Sequence, residues 1–283
     1  MKRYADLILA STSLIWGAMF VVAKAALEDV SSVYYLALRF TLAALVLGVG
    51  FRKKLRFAWT GLGLGAVLML GYMLQTAGLR TSTPAKSAFL TGGYIVLVPF
   101  FGWLVYRNKA RVAEIVGVLT AATGMALLTM QGERLTVEPG DWFTMGGAAA
   151  FAVHIVMLGH LAPRFPSENL TFLQVAGAAL FAWLVLPFVE TPSIRWRPAV
   201  LLAIVAGALV ATAFAFYAQT WAQQYLSPTR AALIFALEPV FAWVVAWWWI
   251  GEVFSLRAAL GAAFILAGVL LVELKPNRKS AHP

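Results

Sequence analysis

Long apolar runs separated by short polar connections fill the chain from end to end. Ten runs come close to the ~20 residues that an α-helix needs to cross a bilayer. They lie at 6–26, 32–51, 58–79, 84–106, 110–130, 141–161, 168–189, 198–223, 228–250 and 254–273. The stretch 226–252 is apolar on every face, which places it in lipid or deep inside protein rather than at a water-facing surface. The apolar run from Pro198 to Thr229 is too long for one crossing. It divides at Ser227-Pro228, because proline disfavours helix in the residue before it and is well suited to the first helical turn. The first run follows Lys2-Arg3 and reaches Ala23-Lys24-Ala25, so it imitates a signal peptide. It is longer than a usual signal core, and the first crossing is the expected reading. The pattern predicts an all-α, polytopic membrane protein of ten transmembrane helices.

The pattern also repeats. Pro84, Lys86, Ala88, Val96, Trp103, Gly117 and Gly124 recur 144 residues later as Pro228, Arg230, Ala232, Val240, Trp247, Gly261 and Gly268. Gly63 and Gln75-Thr76 recur at the same offset as Gly207 and Gln219-Thr220, without a gap from Gly63 to Leu127. Nearer the start of each half the offset is 135: Ser32 meets Ser167, Leu38 meets Leu173 and Arg39 falls on Gln174. Such self-similarity marks an internal duplication. The halves are 1–130 and 141–273, joined by a polar linker at 131–140 and followed by a tail at 274–283. Five crossings per half is an odd number, so the two copies run in opposite senses. That is the inverted repeat of many secondary transporters.

Composition narrows the class further. The 283 residues are 61% hydrophobic and only 12% charged, against a globular average near ~25% charged. With no cysteine, disulfides, thiolate chemistry and Cys-ligated metals are excluded. The net charge of +10 would suggest nucleic acid in a soluble protein. Here it sits in short loops beside apolar runs, so membrane lipid is the expected partner and nucleic acid is not. Placing the N-terminus inside puts fourteen Lys and Arg on the inner side and seven on the outer. Both termini are therefore expected in the cytoplasm.

Several segments resemble the drug/metabolite transporter superfamily, and within it the EamA-like permeases. LIWGAMFVVAKAAL, with Trp16, Gly17 and Lys24, is similar to that family's first span, and VYYLALRFTLAAL, with Arg39, to its second. SPTRAALIFALEPVFAWVVAWWWIGE followed by LRAALGAAFILAGVLL resembles its last two. The resemblance implies a ten-helix inverted-repeat permease of the inner membrane that moves small metabolites, commonly by export. The two halves differ at one place: Thr91-Gly92-Gly93-Tyr94 stands where the second half has Phe235-Ala236-Leu237-Glu238.

An ionisable residue within a membrane span is a functional candidate by default. Glu238 reads either as a ligand for a substrate amine or a proton-coupling site, or else as a carboxylate tied to Arg230 or to backbone freed by Pro239. Lys86 and Arg230 follow proline-opened helix starts, where the dipole favours anions. They read as substrate-anion ligands, one per gate, or as cations snorkelling to headgroups. Arg39 reads as a partner of a substrate carboxylate, of Glu238, or of helix-end carbonyls. Gln75 and Gln219 occupy equivalent places and suit a zwitterion. Tyr72 and Tyr217 lie near them, and Tyr94 and Trp16 complete the candidate substrate-binding set. The cavity is expected between the halves, lined by spans 1, 2, 3, 4, 6, 7, 8 and 9, with spans 5 and 10 outside.

His154 and His160 are six residues apart and do not share a helix face, so no metal site is expected. No G-x-x-x-x-G-K-[ST] motif occurs, and no cofactor is implied. Gly61-x-Gly63-x-Gly65, Gly117 and Gly124 are expected to let helices pack closely. The reading is a permease moving small metabolites, with amino acids or related compounds foremost, by alternating access and with protons as a candidate coupling partner. A membrane-embedded enzyme or a channel is the alternative. The enzyme lacks paired carboxylates, a histidine motif or a nucleophile with a base.

Overall fold

The computed structural model describes residues 2–53, 55–56, 58–82, 84–107, 109–129, 138–250 and 255–273. Most of the expected linker and the tail 274–283 lie outside these residues. The described chain is helical: α1 Lys2–Ala26, α2 Ser32–Phe51, α3 Trp59–Thr81, α4 Pro84–Gly92, α5 Tyr94–Tyr106, α6 Val112–Thr129, α7 Pro139–Leu161, α8 Ser167–Val189, α9 Pro198–Ala208, α10 Ala215–Ala222, α11 Pro228–Phe235, α12 Glu238–Ile250 and α13 Leu256–Glu273. Seven helical stretches among the described residues are long and apolar enough to cross a membrane, and α6 and α13 are shorter apolar helices. Forty large apolar side chains among the described residues face outward, as a lipid-facing surface requires.

Three stretches expected to be continuous are interrupted, each for a local reason. The stretch 84–106 breaks at Gly93 between α4 and α5. The stretch 228–250 breaks at Ala236-Leu237, just before Pro239, which has no N–H to donate to the preceding turn. These two breaks fall at equivalent places in the 144-residue repeat. The stretch 198–223 is joined instead by a π-helical turn, Leu209–Phe214, between α9 and α10. Wider turns of this kind leave backbone carbonyls without their usual partners and cluster at functional places.

Helix starts follow the sequence signals. Pro139, Pro198 and Pro228 sit in first turns. Ser227 Oγ accepts the Arg230 N–H at 3.2 Å. Glu138 and Asp141 cap α7 reciprocally, with the Glu138 N–H donating to Asp141 Oδ2 at 2.8 Å.

α6 packs along α13 through glycines. A Cβ on Gly124 would lie 2.5 Å from the Gly261 carbonyl, and one on Gly117 would lie 2.8 Å from the Gly268 carbonyl. The order of these contacts makes the two helices antiparallel. α3 packs on α7 and α8. Gly61 and Gly65 face α8 there, whereas Gly63 has nothing within 4 Å. The loops after α1 and α8 are tied by a Val30–Ile194 bridge and by the Arg195 N–H donating to the Asp29 carbonyl at 2.7 Å.

Gly124→Ala should wedge α6 from α13 and cost about 1–3 kcal/mol. Gly63→Ala, on an exposed helical position, should be neutral or stabilising by up to about 1 kcal/mol. Thermal midpoints of the two purified variants in detergent measure the contrast.

Candidate functional site

α1, α2, α3, α7, α10 and the two interrupted helices surround a cavity of about 80 Å³. On α1 it begins at Trp16 and reaches Ala23; on α3 it runs from Leu68 to Leu79. It therefore lies towards the end of the bundle where Lys24 Nζ donates to the α3 carbonyls of Leu79 and Arg80, at 2.8 and 2.9 Å. The other end is filled by a packed apolar cluster that includes Ala5, Leu9, Leu226, Ala231 and Ile234. α8, expected among the lining, contributes no residue to it, and neither do α6 and α13. α8 is held one layer back because it packs behind α3 and α2.

The wall is aromatic with a few polar points. Phe216 is central: its ring lies 5.5 Å from Trp16, 6.2 Å from Tyr72, 6.4 Å from Phe40 and 6.1 Å from His154. Trp16 also packs on Phe235 at 5.1 Å.

Arg39 is 4% exposed and reaches across from α2 to the π-helical turn. Its Nε donates to the Gly207 carbonyl at 3.2 Å and to Thr212 Oγ1 at 2.8 Å. One terminal nitrogen donates to the Ala211 carbonyl at 3.3 Å. Trp16 Nε1 donates to the same Ala211 carbonyl at 2.9 Å. The last turn of α9 and the π turn thus supply the carbonyls, and the first half supplies the donors. The guanidinium also lies over Tyr72 and Phe40, with 5.1 and 5.6 Å to the ring centres. Of the three roles open to Arg39 in the sequence, carbonyl binding is present. Among the described residues no carboxylate pairs with it.

Glu238 lines the same cavity, 7% exposed at the helix break. Its partner is the Tyr94 hydroxyl, which donates to Oε2 across 3.5 Å, the outer limit of a hydrogen bond. Tyr94 and Glu238 are equivalent positions of the two halves. The repeat thus brings two equivalent positions into contact across the cavity. Neither Arg230 nor Arg39 reaches Glu238.

Gln75 lines the cavity and donates to Thr91 Oγ1 at 3.1 Å. Gln219 lines it too and donates to Gln223 Oε1 at 3.1 Å. Its own Oε1 is buried without a partner, a state that costs about 1–3 kcal/mol in an unliganded protein. Trp16, Arg39, Tyr72, Gln75, Tyr94, Gln219 and Glu238 thus converge on one cavity.

Three candidates lie elsewhere. Tyr217 packs on Phe51, with 5.4 Å between rings, because it points off α10 away from Phe216. Arg230 pairs in fork geometry with Asp6, at 3.0 and 2.8 Å. Lys86 pairs with Asp141 at 2.6 Å. Neither cation snorkels alone, and neither lines the cavity. The two pairs stand at opposite ends of α1: Asp6 is near its start, whereas Asp141 follows Gly140, which packs on Gly78 beside the Leu79 and Arg80 carbonyls that Lys24 holds, about 27 Å further along a helix rising 1.5 Å per residue. The signal for these pairs was present: Asp6 and Asp141 are related by the 135-residue offset, as Lys86 and Arg230 are by 144. His154, Phe216 and Phe235 are among the lining residues that the sequence did not single out. His154 Nε2 lies 2.8 Å from Gln174 Oε1, an amide oxygen that can only accept, on a chain element that no motif marks.

An all-helical, multi-pass membrane protein with a partly polar cavity between its helices has the form of a membrane transporter. The sequence pattern of the EamA-like transporter family matches residues 3–130 and 138–274, so the chain belongs to that family. It is 34% identical over 277 residues to a protein of Archaeoglobus fulgidus described as an uncharacterized transporter, spanning 97% of this chain and 87% of that one. It is 25% identical over 293 residues to a probable terminal-alkyne amino-acid exporter of Streptantibioticus cattleyicolor, spanning 97% and 96%. A solved crystal structure shares the fold with a TM-score of 0.81 at 21% identity, covering 97% of this chain and 98% of its own.

Arg39→Met would remove the Arg39 donor from the Gly207 carbonyl and from Thr212 Oγ1, and leave the Ala211 carbonyl with Trp16 alone. The expected loss is about 2–3 kcal/mol, read as a lowered thermal midpoint in detergent.

Proposed function

We propose that this protein is a secondary transporter that exports amino acids or related small zwitterions across the inner membrane by alternating access. The observation that carries the reading is the pairing of opposite charges in one aromatic cavity. Arg39 offers a cation and Glu238 a carboxylate, and they do not neutralise each other. A zwitterion meets such a wall with its carboxylate towards Arg39, while its side chain packs on Trp16, Tyr72 and Phe216. Glu238 carries the coupling proton, with Tyr94 as its neighbour. The relative from Streptantibioticus cattleyicolor, a probable amino-acid exporter, supports the substrate class.

In this reading ten transmembrane helices form two inverted five-helix repeats, with both termini cytoplasmic. Contacts between the halves support it because they map onto themselves. Exchanging repeat-equivalents turns the Gly117–Gly268 contact into Gly261–Gly124, and the Asp6–Arg230 pair into Asp141–Lys86. Each ion pair joins one half to the other, and one stands at each membrane face. They act as opposed latches. The conformation described here has its Asp6 end, the cytoplasmic one, packed shut.

Purified protein in liposomes should show saturable amino-acid counterflow, and an imposed pH gradient should drive accumulation. Glu238→Gln should keep counterflow and lose the response to the gradient. No saturable counterflow with any amino acid would sink the substrate class, and intact pH-driven uptake in Glu238→Gln would remove Glu238 from coupling.

Breaking a latch should shift the two-state balance with opposite signs. A partly exposed pair contributes about 1 kcal/mol or less, which corresponds to a shift of up to about fivefold. The chain has no native cysteine, so Leu226→Cys in the packed end reports opening by its rate of maleimide labelling. Arg230→Gln should raise that rate and Lys86→Gln should lower it.

A further inference from the structure

Two hydrogen-bond chains run between α7 and α10, and simple chemistry gives each a direction. The first starts at the Phe216 carbonyl, which can only accept. The Thr220 hydroxyl lies 2.7 Å from it and therefore donates to it. Thr220 Oγ1 is then the acceptor for Gln174 Nε2 at 2.9 Å. That turns Gln174 Oε1 towards His154 Nε2, 2.8 Å away. His154 must therefore carry a proton on Nε2, and in the neutral ring the lone pair is on Nδ1. The second chain starts at the Ile155 carbonyl, which accepts from Gln223 Nε2 at 3.0 Å. Gln223 Oε1 accepts from Gln219 Nε2 at 3.1 Å. This leaves Gln219 Oε1, which is buried and has no partner. Reversing either chain would set two acceptors against each other.

Both chains end in an acceptor on a residue that lines the cavity. Both are anchored on the same two helices: residues 154 and 155 lie on α7, and 216, 219, 220 and 223 lie on or just after α10. We infer that Gln219 Oε1 and His154 Nδ1 together receive the amino group of the transported amino acid, docking it on the α7–α10 wall. The inference rests on the zwitterion reading above and adds which residues read the amino end. A group with two or more N–H donors satisfies both acceptors. A carboxylate brings only acceptors and is turned away, towards Arg39. Glu238 is then left free to exchange its proton while substrate is bound. Gln174 and Gln223 do not touch the substrate; they are positioning residues that hold the two acceptors in their orientation.

The test measures binding to purified full-length protein of L-leucine and L-phenylalanine against their deamino acids, 4-methylpentanoate and 3-phenylpropanoate. Wild type should prefer the amino acid by roughly 10- to 100-fold, as expected for hydrogen bonds to a charged group. Gln219→Met and His154→Phe should each reduce that ratio severalfold, and Gln223→Met should reduce it by releasing Gln219. Size-exclusion profiles report which variants fold; either acceptor variant alone suffices for the test. A folded Gln219→Met or His154→Phe protein that keeps the wild-type ratio overturns the inference. So does a wild type that binds the amino acid and its deamino analogue equally well, and in that case the transporter reading stands. A wild type that binds neither amino acid overturns the zwitterion reading itself, and this inference falls with it.

Discussion

In hydrocarbon there is no water to satisfy a stray backbone carbonyl, so every interruption of a helix has to find a donor within the protein. The π-helical turn at Leu209–Phe214 is such an interruption, and the donors come from the other half of the chain. Arg39 on α2 and Trp16 on α1 both reach the Ala211 carbonyl, and Arg39 also holds Thr212 and Gly207. This one bridge has three consequences. It joins the halves at the cavity, it keeps a guanidinium at membrane depth without a carboxylate, and it fixes the wall on which Phe216 stands. A buried arginine so held is costly to place and costly to remove, which is the usual situation of charges that serve a pathway.

The second organising fact is that the glycine contacts of α6 with α13 and the two ion pairs have counterparts in the repeat. Gly117 and Gly124 on α6 meet Gly268 and Gly261 on α13, and the two ion pairs exchange under the same relation. Tyr94 meets its own equivalent, Glu238. The departures from the repeat supply the chemistry: Tyr94 against Glu238, and Arg39 against Gln174. Each departure puts a charge in one half and a neutral hydrogen-bonding group in the other. The cavity therefore has a polarity that its scaffold lacks.

The helical breaks carry the same lesson. At Gly93 and at Ala236-Leu237 the chain leaves regular helix at equivalent points, with a glycine in one copy and a following proline in the other. The break lifts Glu238 to the start of a new helix, where its side chain can face the cavity. Discontinuous helices near the midplane are a recurring way to bring polar atoms to a transported molecule.

How much of this was legible depends on the range of the interaction. Helix number and span are local properties of apolar length, and α1, α2, α3, α7 and α8 begin within a few residues of their expected places. The duplication is written in the chain as matched prolines, glycines and glutamines. Seven of ten site candidates also converged, because a polar side chain in an apolar run has few destinations other than a shared polar interior. Lys86 and Arg230 did not, since an ion pair needs a partner, and their partners Asp141 and Asp6 lie 55 and 224 positions away in the chain. His154 was set aside as a histidine without a motif; only the crossing of α7 against α8 and α10 gives it Gln174 on one side and the cavity on the other. By itself the sequence determined that the chain is a doubled, membrane-embedded helical protein with a few intramembrane polar groups, because hydrophobic length and repetition are properties of neighbours along a chain. Tertiary structure alone decided which of those groups face each other, which face an empty cavity and which merely hold the halves together, because that depends on the angle at which helices cross and on where each one breaks.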